Sequence, residues 1–280
     1  MDLERECLLE IVRLALREDR ARDDVTTNSL ADLDGRARAE LRAKESGVIS
    51  GIEAFVETMR EVDPDLEVEV FRGDGCAVAS GDLVLEVRGR ESSILKGERT
   101  ALNFMQRLSG VATLTRRFVE ALRPYRAALL DTRKTTPGMR FLEKNAVRHG
   151  GGRNHRLNLA DMAMVKDNHV AMAGGITPAV TRVRAAHPGK AIEVEVKDLA
   201  GLDEALGLGV EMVMLDNFTP ELAAAAVARA GGRTRLEISG NVTLENVAAK
   251  AASGVDFVSV GALTHSFRSL DLSLKIVRSA

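Results

Sequence analysis

The sequence predicts an α/β protein with two parts. In the first part, alternating apolar residues between turn signals predict short antiparallel strands. In the second part, six apolar strands alternate with helical patterns, which is typical of βαβ units and a parallel sheet. The later strand ends recur at a near-constant interval, 21 residues from Glu195 to Asp216, 23 more to Ser239 and 21 more to Val260. Such units close or nearly close into a barrel smaller than the usual eight-stranded one.

The N-terminal part begins with apolar residues at helical spacing, which predict an amphipathic helix over residues 3–18. Turn and cap residues follow at Asp23–Ser29. Strand patterns lie within residues 37–49 and 66–87, and a helix between them ends at Asp63. A long helical stretch then runs from Glu91 to Pro124, with a break expected at Gly110.

We place the domain boundary inside that helical stretch, so that residues 1–108 form the first domain and 109–265 the second. The strands expected in the second domain are 127–131, 162–166, 191–196, 211–216, 235–239 and 256–260. Helical patterns fill the intervals between them.

Composition excludes several classes of protein. No apolar run reaches the ~18 residues of a membrane span, and the charged N-terminus does not have the pattern of a signal peptide. A net charge of −2, with no Trp and one Tyr, argues against binding to nucleic acid. Two cysteines, Cys7 and Cys76, are too few for a disulfide framework. We therefore expect a cytoplasmic protein with small-molecule substrates.

The segment from Asp131 to His169 predicts an anion-binding site. It holds eight Lys or Arg against four Asp or Glu, and three of the five histidines. Clustered cations focus the electric field on anionic ligands, and the run Gly150–Gly152 allows close approach of the backbone to a ligand. The alternative is a solvated, charged face.

The strand ends carry charged or small residues suited to catalysis. In α/β barrels the active site lies at the C-terminal ends of the strands. The residues at these ends are Asp131, Thr132, Arg133, Lys134, Lys166, Glu195, Asp216, Ser239, Gly240, Asn241, Gly261 and Ala262.

Arginine pairs suit a dicarboxylate, and lysines suit phosphate or pyrophosphate. Arg133, Arg156 and His155 are candidates, with Arg99 a further one. Glycine-containing turns could hold a phosphate on backbone N–H groups. The carboxylates Glu195 and Asp216 could hold ribose hydroxyls, bind Mg²⁺ through water and stabilise a cationic sugar. Together these residues suggest transfer of a phosphosugar to an anionic acceptor.

Each candidate also has a structural interpretation. Glu195 could be a charge at a strand end, Asp216 and Ser239 could cap helices, and His155 could lie on the surface. We interpret His149 and His169 as structural.

The motifs TRKTTPG, EKNAVRHGGGRNHR, VKDNHV, EVEV, MLDNFTPE, LEISGNVT and VSVGALTHS, in this order, resemble the quinolinate phosphoribosyltransferase family. REDRARDDVTT, GVISG and GERTALNFMQRLSGVAT match as well, with Asp23 where the family usually has glycine. The resemblance implies an N-terminal α+β open-faced sandwich domain plus an incomplete six-stranded α/β barrel domain. A C-terminal helix at about 266–280 would return to the first domain.

The resemblance implies that the enzyme joins quinolinate to phosphoribosyl pyrophosphate (PRPP), giving nicotinate mononucleotide, CO₂ and pyrophosphate in NAD synthesis. It implies Mg²⁺ and a homodimer or an assembly of dimers. Arg133 and Arg156 would hold the carboxylates of quinolinate, with Arg99 from the neighbouring subunit. Lys134, His155 and Lys166 would face substrate carboxylate or phosphates. Glu195 and Asp216 would lie at the ribose and metal. The residues assigned to the 5′-phosphate are Ser239, Gly240, Asn241, Val260, Gly261 and Ala262.

Two other functions remain as alternatives. The first is a molybdenum-transport-associated relative that acts on another anionic acceptor. Its pattern lacks the forms seen here as Asn154–Arg156 and Lys166–His169. The second is a non-catalytic anion-binding protein, which has no need of Glu195 and Asp216 opposite a cationic cluster.

Overall fold

The computed structural model describes residues 3–30, 32 and 34–277. The described residues form two compact units. The first unit contains those up to Arg116, then Thr135–Gly151, then those from Ser266 onward. The second contains Arg117–Lys134 and Gly152–His265. The division therefore falls later than residue 108, and part of the predicted anion-binding segment belongs to the first unit.

The first unit is mixed α and β. Its elements are α1 (Leu3–Glu18), α2 (Val25–Ser29), β1 (Arg36–Ala43), β2 (Gly47–Val48), α3 (Ile52–Val62), β3 (Glu67–Val70), β4 (Ala77–Val78), β5 (Leu83–Arg90), α4 (Glu91–Leu122, which continues into the second unit), α5 (Arg140–His149) and, last in the chain, β12 (Leu272–Val277).

Four of these strands form an antiparallel sheet in the order β12-β1-β5-β3. Alternate residues of β1 and β5, such as Leu41 and Leu85, are buried with Phe55 of α3 and Met105 of α4. The opposite face carries ion pairs instead, including one of 2.6 Å from Arg38 to Glu86. A sheet with helices on one face and charges on the other is the expected open-faced sandwich.

Two predictions for this unit were wrong. Helix α4 continues through Gly110 without a break. The glycine instead allows another segment to approach closely, since a Cβ there would overlap the backbone of Arg268 and Ser269. The expected C-terminal helix is instead β12, which pairs with β1. Leu272 and Leu274 alternate with polar residues, and this period of two favours a strand. Residues 278–280 of that predicted helix lie outside the described residues.

A third prediction was correct in its chemistry and wrong in its structure. The predicted turn at Asp23–Ser29 contains helix α2, and Asp24 caps it by accepting the N–H groups of Thr26 and Thr27. Helix α5 had not been predicted from the charged segment around it.

The second unit consists of strands and helices in near-strict alternation. Its elements are β6 (Ala128–Leu130), β7 (Ala163–Val165), α6 (Asp167–Ala173), α7 (Ile176–Ala186), β8 (Ile192–Val196), α8 (Leu199–Gly207), β9 (Met212–Asp216), α9 (Pro220–Ala230), β10 (Arg235–Ser239), α10 (Val247–Ala251), β11 (Phe257–Ser259) and α11 (Ala262–His265).

These strands form one parallel sheet in the order β6-β11-β10-β9-β8-β7. The last strand pairs with the first, so the sheet curls towards a ring, and β6 and β7 are left as its edges. Among the described residues, an isolated backbone bridge also pairs Leu130 of β6 with Arg153. The prediction of an incomplete six-stranded barrel is confirmed. No helix among the described residues is long and apolar enough to cross a membrane.

Candidate active site

The strand ends of the second unit meet at one edge of its sheet. Asp216 is in register with Ser239, Glu195 with Met214, and Val165, next to Lys166, with Val194. Because side chains alternate along a strand, Glu193 and Glu195 share one face. A cavity of about 470 Å³ opens here. Its lining includes Asp131, Thr132, Arg133, Lys134, His155, Arg156, Met164, Lys166, Glu195, Met214, Asp216, Asn217, Glu237, Ser239, Gly240 and Asn241.

Two guanidinium groups lie close together on one side of the cavity. Burial lowers the pKa of Arg156, and the nearby charge of Arg133 lowers it further. The Nη1 of Arg156 donates to the carbonyl of Met162 at 3.2 Å. The Nε of Arg133 is buried and has no hydrogen-bond partner among the described residues. A buried N–H without a partner is costly, so an anion fits this position.

His155 lines the same cavity as these arginines, and its side chain is only 6% exposed. Its Nε2 is 2.9 Å from a carboxylate oxygen of Glu193 and 3.3 Å from one of Glu237. Both glutamates are fully buried. The backbone N–H of Arg156 donates to Nδ1 of His155 at 2.7 Å. Both ring nitrogens of His155 therefore contact protein atoms.

Burial and hydrogen bonding shift the pKa values of two members of this cluster. Burial lowers the pKa of His155, but hydrogen bonds to Glu193 and Glu237 outweigh it and raise the pKa to about 9. Burial also raises the pKa of Glu193, against the hydrogen bond from His155. One ring nitrogen of His155 and one carboxylate oxygen of each glutamate lie within 4.8 Å of one another.

Asp131 fixes the loop that carries His155. It is fully buried at the end of β6, where its two oxygens accept the side-chain N–H of Asn154 at 2.6 Å and the backbone N–H of His155 at 2.8 Å. Its position directly after a buried strand was the signal available in the sequence.

On the other side of the cavity, Lys166 donates to Glu195 at 3.2 Å. The carboxylate of Asp216 has no hydrogen bond or ion pair to any described residue. His169 accepts the backbone N–H of Lys166 at 3.1 Å, a contact at the start of helix α6. Nearby, Lys197 pairs with Asp167. The carboxylates of Glu195 and Asp216 offer oxygen ligands only, which Mg²⁺ prefers.

The glycine-containing turns follow adjacent strands, β10 and β11. Gly240 and Asn241 have positive φ angles of 92° and 49°. In the second turn, Thr264 donates to the carbonyl of Lys134 at 2.8 Å. A Cβ on Gly261 would lie 3.1 Å from the side chain of Lys134. This turn is therefore packed against the strand end that carries Thr132 and Lys134.

Most of the predicted residues of the second unit line the cavity, whereas Val260, Gly261 and Ala262 are not among its lining residues. Val260, Gly261 and Ala262 form the turn just described. Arg99 lies on α4 in the first unit, exposed and without an ion pair among the described residues. Sequence reasoning missed Glu237 and Asn217, which line the cavity. Glu237 lay unnoticed inside an apolar strand pattern.

An incomplete six-stranded α/β barrel with cations, carboxylates and glycine turns at one end of its sheet defines a barrel enzyme for anionic substrates. Comparisons with known proteins agree. The quinolinate phosphoribosyl transferase C-terminal domain matches residues 111–275, and its N-terminal domain matches residues 24–109.

Relatives match along most of their length. A nicotinate-nucleotide pyrophosphorylase (carboxylating) of Mycobacterium leprae is 41% identical over 98% of this chain and 99% of its own. A chloroplastic one of Arabidopsis thaliana is 42% identical over 96% and 82%. The structure of the Francisella tularensis nicotinate-nucleotide pyrophosphorylase, 39% identical, has a TM-score of 0.94 over 99% of this chain and 98% of that one. The chain belongs to the quinolinate phosphoribosyltransferase family.

Proposed function

We propose that this enzyme transfers phosphoribosyl from PRPP to quinolinate with decarboxylation. The products are nicotinate mononucleotide, CO₂ and pyrophosphate, so the reaction belongs to NAD biosynthesis. The observation that supports this most is the buried, unpaired Nε of Arg133 beside the guanidinium of Arg156. A dicarboxylate supplies the charge and the acceptors that this pair lacks. The alternative of a molybdenum-transport-associated relative is not favoured, because the matched relatives carry the pyrophosphorylase name.

In this proposal, Arg133 and Arg156 hold the two carboxylates of quinolinate, and Lys134 and Lys166 face substrate carboxylate or phosphate. His155 orients Arg156 through the N–H contact at 2.7 Å. The pyridine nitrogen of quinolinate is then held towards C1′ of the ribose, and positioning of this kind supplies a large part of catalysis.

The sugar occupies the opposite side of the cavity. Ser239–Asn241 and Val260–Ala262 would hold the 5′-phosphate on backbone N–H groups. Glu195 and Asp216 would lie at the ribose, and their negative charge would stabilise the cationic sugar that forms as pyrophosphate leaves. The donor set of Glu195 and Asp216 also fits Mg²⁺, which would neutralise the pyrophosphate when bound.

Decarboxylation follows from the charge of the product ring. When the nitrogen bonds to C1′, the C1′–O bond to pyrophosphate breaks and the ring becomes cationic. Breaking the bond from C2 to its carboxylate releases CO₂ and leaves an electron pair on C2, next to the positive nitrogen. A proton then adds to C2 and gives nicotinate mononucleotide.

We also propose that the enzyme is a cytoplasmic homodimer, or an assembly of dimers, in which Arg99 completes the neighbouring subunit's site. An exposed Arg99 without an ion pair among the described residues supports this role. The cysteines Cys7 and Cys76 are both free, which suits a reducing compartment.

Product stoichiometry tests the proposed function. Purified protein, PRPP, quinolinate and Mg²⁺ should yield nicotinate mononucleotide, pyrophosphate and CO₂ in equal amounts. Arg133→Ala should abolish all three. The matched control is Arg153→Ala, an exposed arginine outside the cavity lining. Pyrophosphate release that continues without quinolinate, or without CO₂, would contradict the proposal.

A further inference from the structure

We propose that Asn217 is a positioning residue that joins the carboxylate at the end of β9 to the turn at the end of β10. It would thereby set the distance between the ribose and 5′-phosphate sites. This inference rests on the proposed function, because it concerns how the same site holds PRPP. The sequence analysis did not single out Asn217.

The backbone of Asn217 is left-handed, with φ of 56°. Among the described residues, the others with positive φ that are not glycine are Arg20 and Asn241. Two of the three thus lie at neighbouring strand ends of this site. Asparagine tolerates this conformation better than most residues, and such strain tends to persist where function needs it.

Asn217 contacts every residue of the Ser239–Asn241 turn. Its N–H donates to the carbonyl of Ser239 at 2.9 Å. Its side-chain oxygen accepts the side-chain N–H of Asn241 at 3.1 Å. Gly240 packs directly on this side chain, because a Cβ there would overlap the amide oxygen of Asn217.

Each side of this junction is anchored separately. On the far side of the turn, Asn246 donates to the carbonyl of Asn241 at 2.8 Å. On the β9 side, the buried Lys250 donates to the carbonyl of Phe218 at 3.3 Å. The amide of Asn217 is the side-chain link between these two anchored segments. Asp216 precedes Asn217 directly and is in register with Ser239, so the amide of Asn217 adds a side-chain contact to the backbone pairing that holds the carboxylate near the turn.

Matched variants separate positioning from folding. Asn217→Gly keeps the left-handed backbone and the N–H but removes the amide. Asn241→Gly removes the other half of the same hydrogen bond, also at a positive φ. Thr219→Ala is the control. Thr219 caps α9 by accepting the N–H of Leu222 at 3.2 Å, so its loss should lower Tm without touching the turn.

We expect Asn217→Gly to raise the KM for PRPP and the Kd for ribose 5-phosphate, measured by calorimetry, by roughly five- to tenfold. The KM for quinolinate should stay within about twofold, because the arginine side is untouched. Because both changes remove the same hydrogen bond, the double variant with Asn241→Gly should bind PRPP as tightly as the single variant with the lower affinity. Thr219→Ala should leave both KM values unchanged.

Unchanged affinity for PRPP and ribose 5-phosphate in Asn217→Gly would overturn the inference. An equal rise of both KM values with a fall in Tm would also overturn it. Ribose 5-phosphate binding does not depend on quinolinate. A wild-type protein that binds it but does not use quinolinate would therefore refute the proposed function alone. A wild type that binds no ribose 5-phosphate would refute the inference too.

Discussion

His155 shows how the partners of a side chain decide its role. From the sequence it joins the cations that face the substrate. In the structure its Nε2 lies against Glu193 and Glu237, and its Nδ1 accepts the N–H of Arg156. The two glutamates come from β8 and β10, 44 residues apart, so no local pattern could have joined them. His155 therefore acts on the substrate site through the backbone of Arg156.

At this scale the pKa of His155, raised to about 9 from 6.5, predicts a pH dependence of stability. A raised folded pKa contributes stability that is fully present below pH 6.5 and is lost as the pH rises through about 9. The contribution is about 3 kcal/mol at most. The urea midpoint of the wild type should therefore fall across this window.

Glu237→Gln is the control for this prediction, because it removes one of the two carboxylates that raise the pKa. Its urea midpoint should depend less on pH. If the urea midpoint of the variant depends on pH as steeply as that of the wild type, the dependence comes from other groups.

At the scale of elements, the strands of the barrel were predictable because each is a short apolar run bounded by turn residues. Predicted strand 211–216 is observed at Met212–Asp216, and 235–239 at Arg235–Ser239. Their charged ends gave the candidate site, since parallel strands end at one edge. Contacts between distant segments were not predictable. The sequence predicts a helix break at Gly110, because it does not show that Arg268 and Ser269 pack against this glycine.

Helix glycines allow this explanation to be tested. Gly110→Ala should destabilise the protein by about 1–3 kcal/mol, because the new Cβ would overlap backbone atoms. Gly207→Ala is the matched control, since Gly207 is in α8 and nothing lies within 4 Å of its Cβ position. Because Gly207 is the last residue of α8, this change should alter the stability by less than about 0.5 kcal/mol. Urea unfolding would measure both, and a loss of equal size at the two sites would contradict the packing argument.

At the scale of the whole molecule, the family likeness covers both units of the chain. The second unit holds the candidate site, while Arg99 belongs to the first. Arg99 is exposed and forms no ion pair with any described residue. Its proposed role depends on assembly, which a single chain does not display.

Subunit exchange tests that role. Arg99→Ala and Arg133→Ala should each be inactive. When they are mixed at equal concentration, half the dimers are mixed, and each of these has one site with an intact barrel and an intact Arg99. Activity should return to roughly a quarter of the wild type. If Arg99 acts within its own chain, no mixed dimer has a complete site and no activity returns.

Binding of a dicarboxylate by Arg133 and Arg156 is tested most directly by the ratio of kcat/KM for quinolinate to that for nicotinate. Nicotinate lacks the 2-carboxylate and leaves one of these half-buried guanidinium groups without a carboxylate, so pyrophosphate release should favour quinolinate by on the order of a thousandfold. Arg156→Lys should reduce that ratio, because a point charge cannot replace the planar fork. Arg153→Lys, outside the cavity lining, should leave it unchanged. Comparable turnover of the two acids by the wild type would contradict the account.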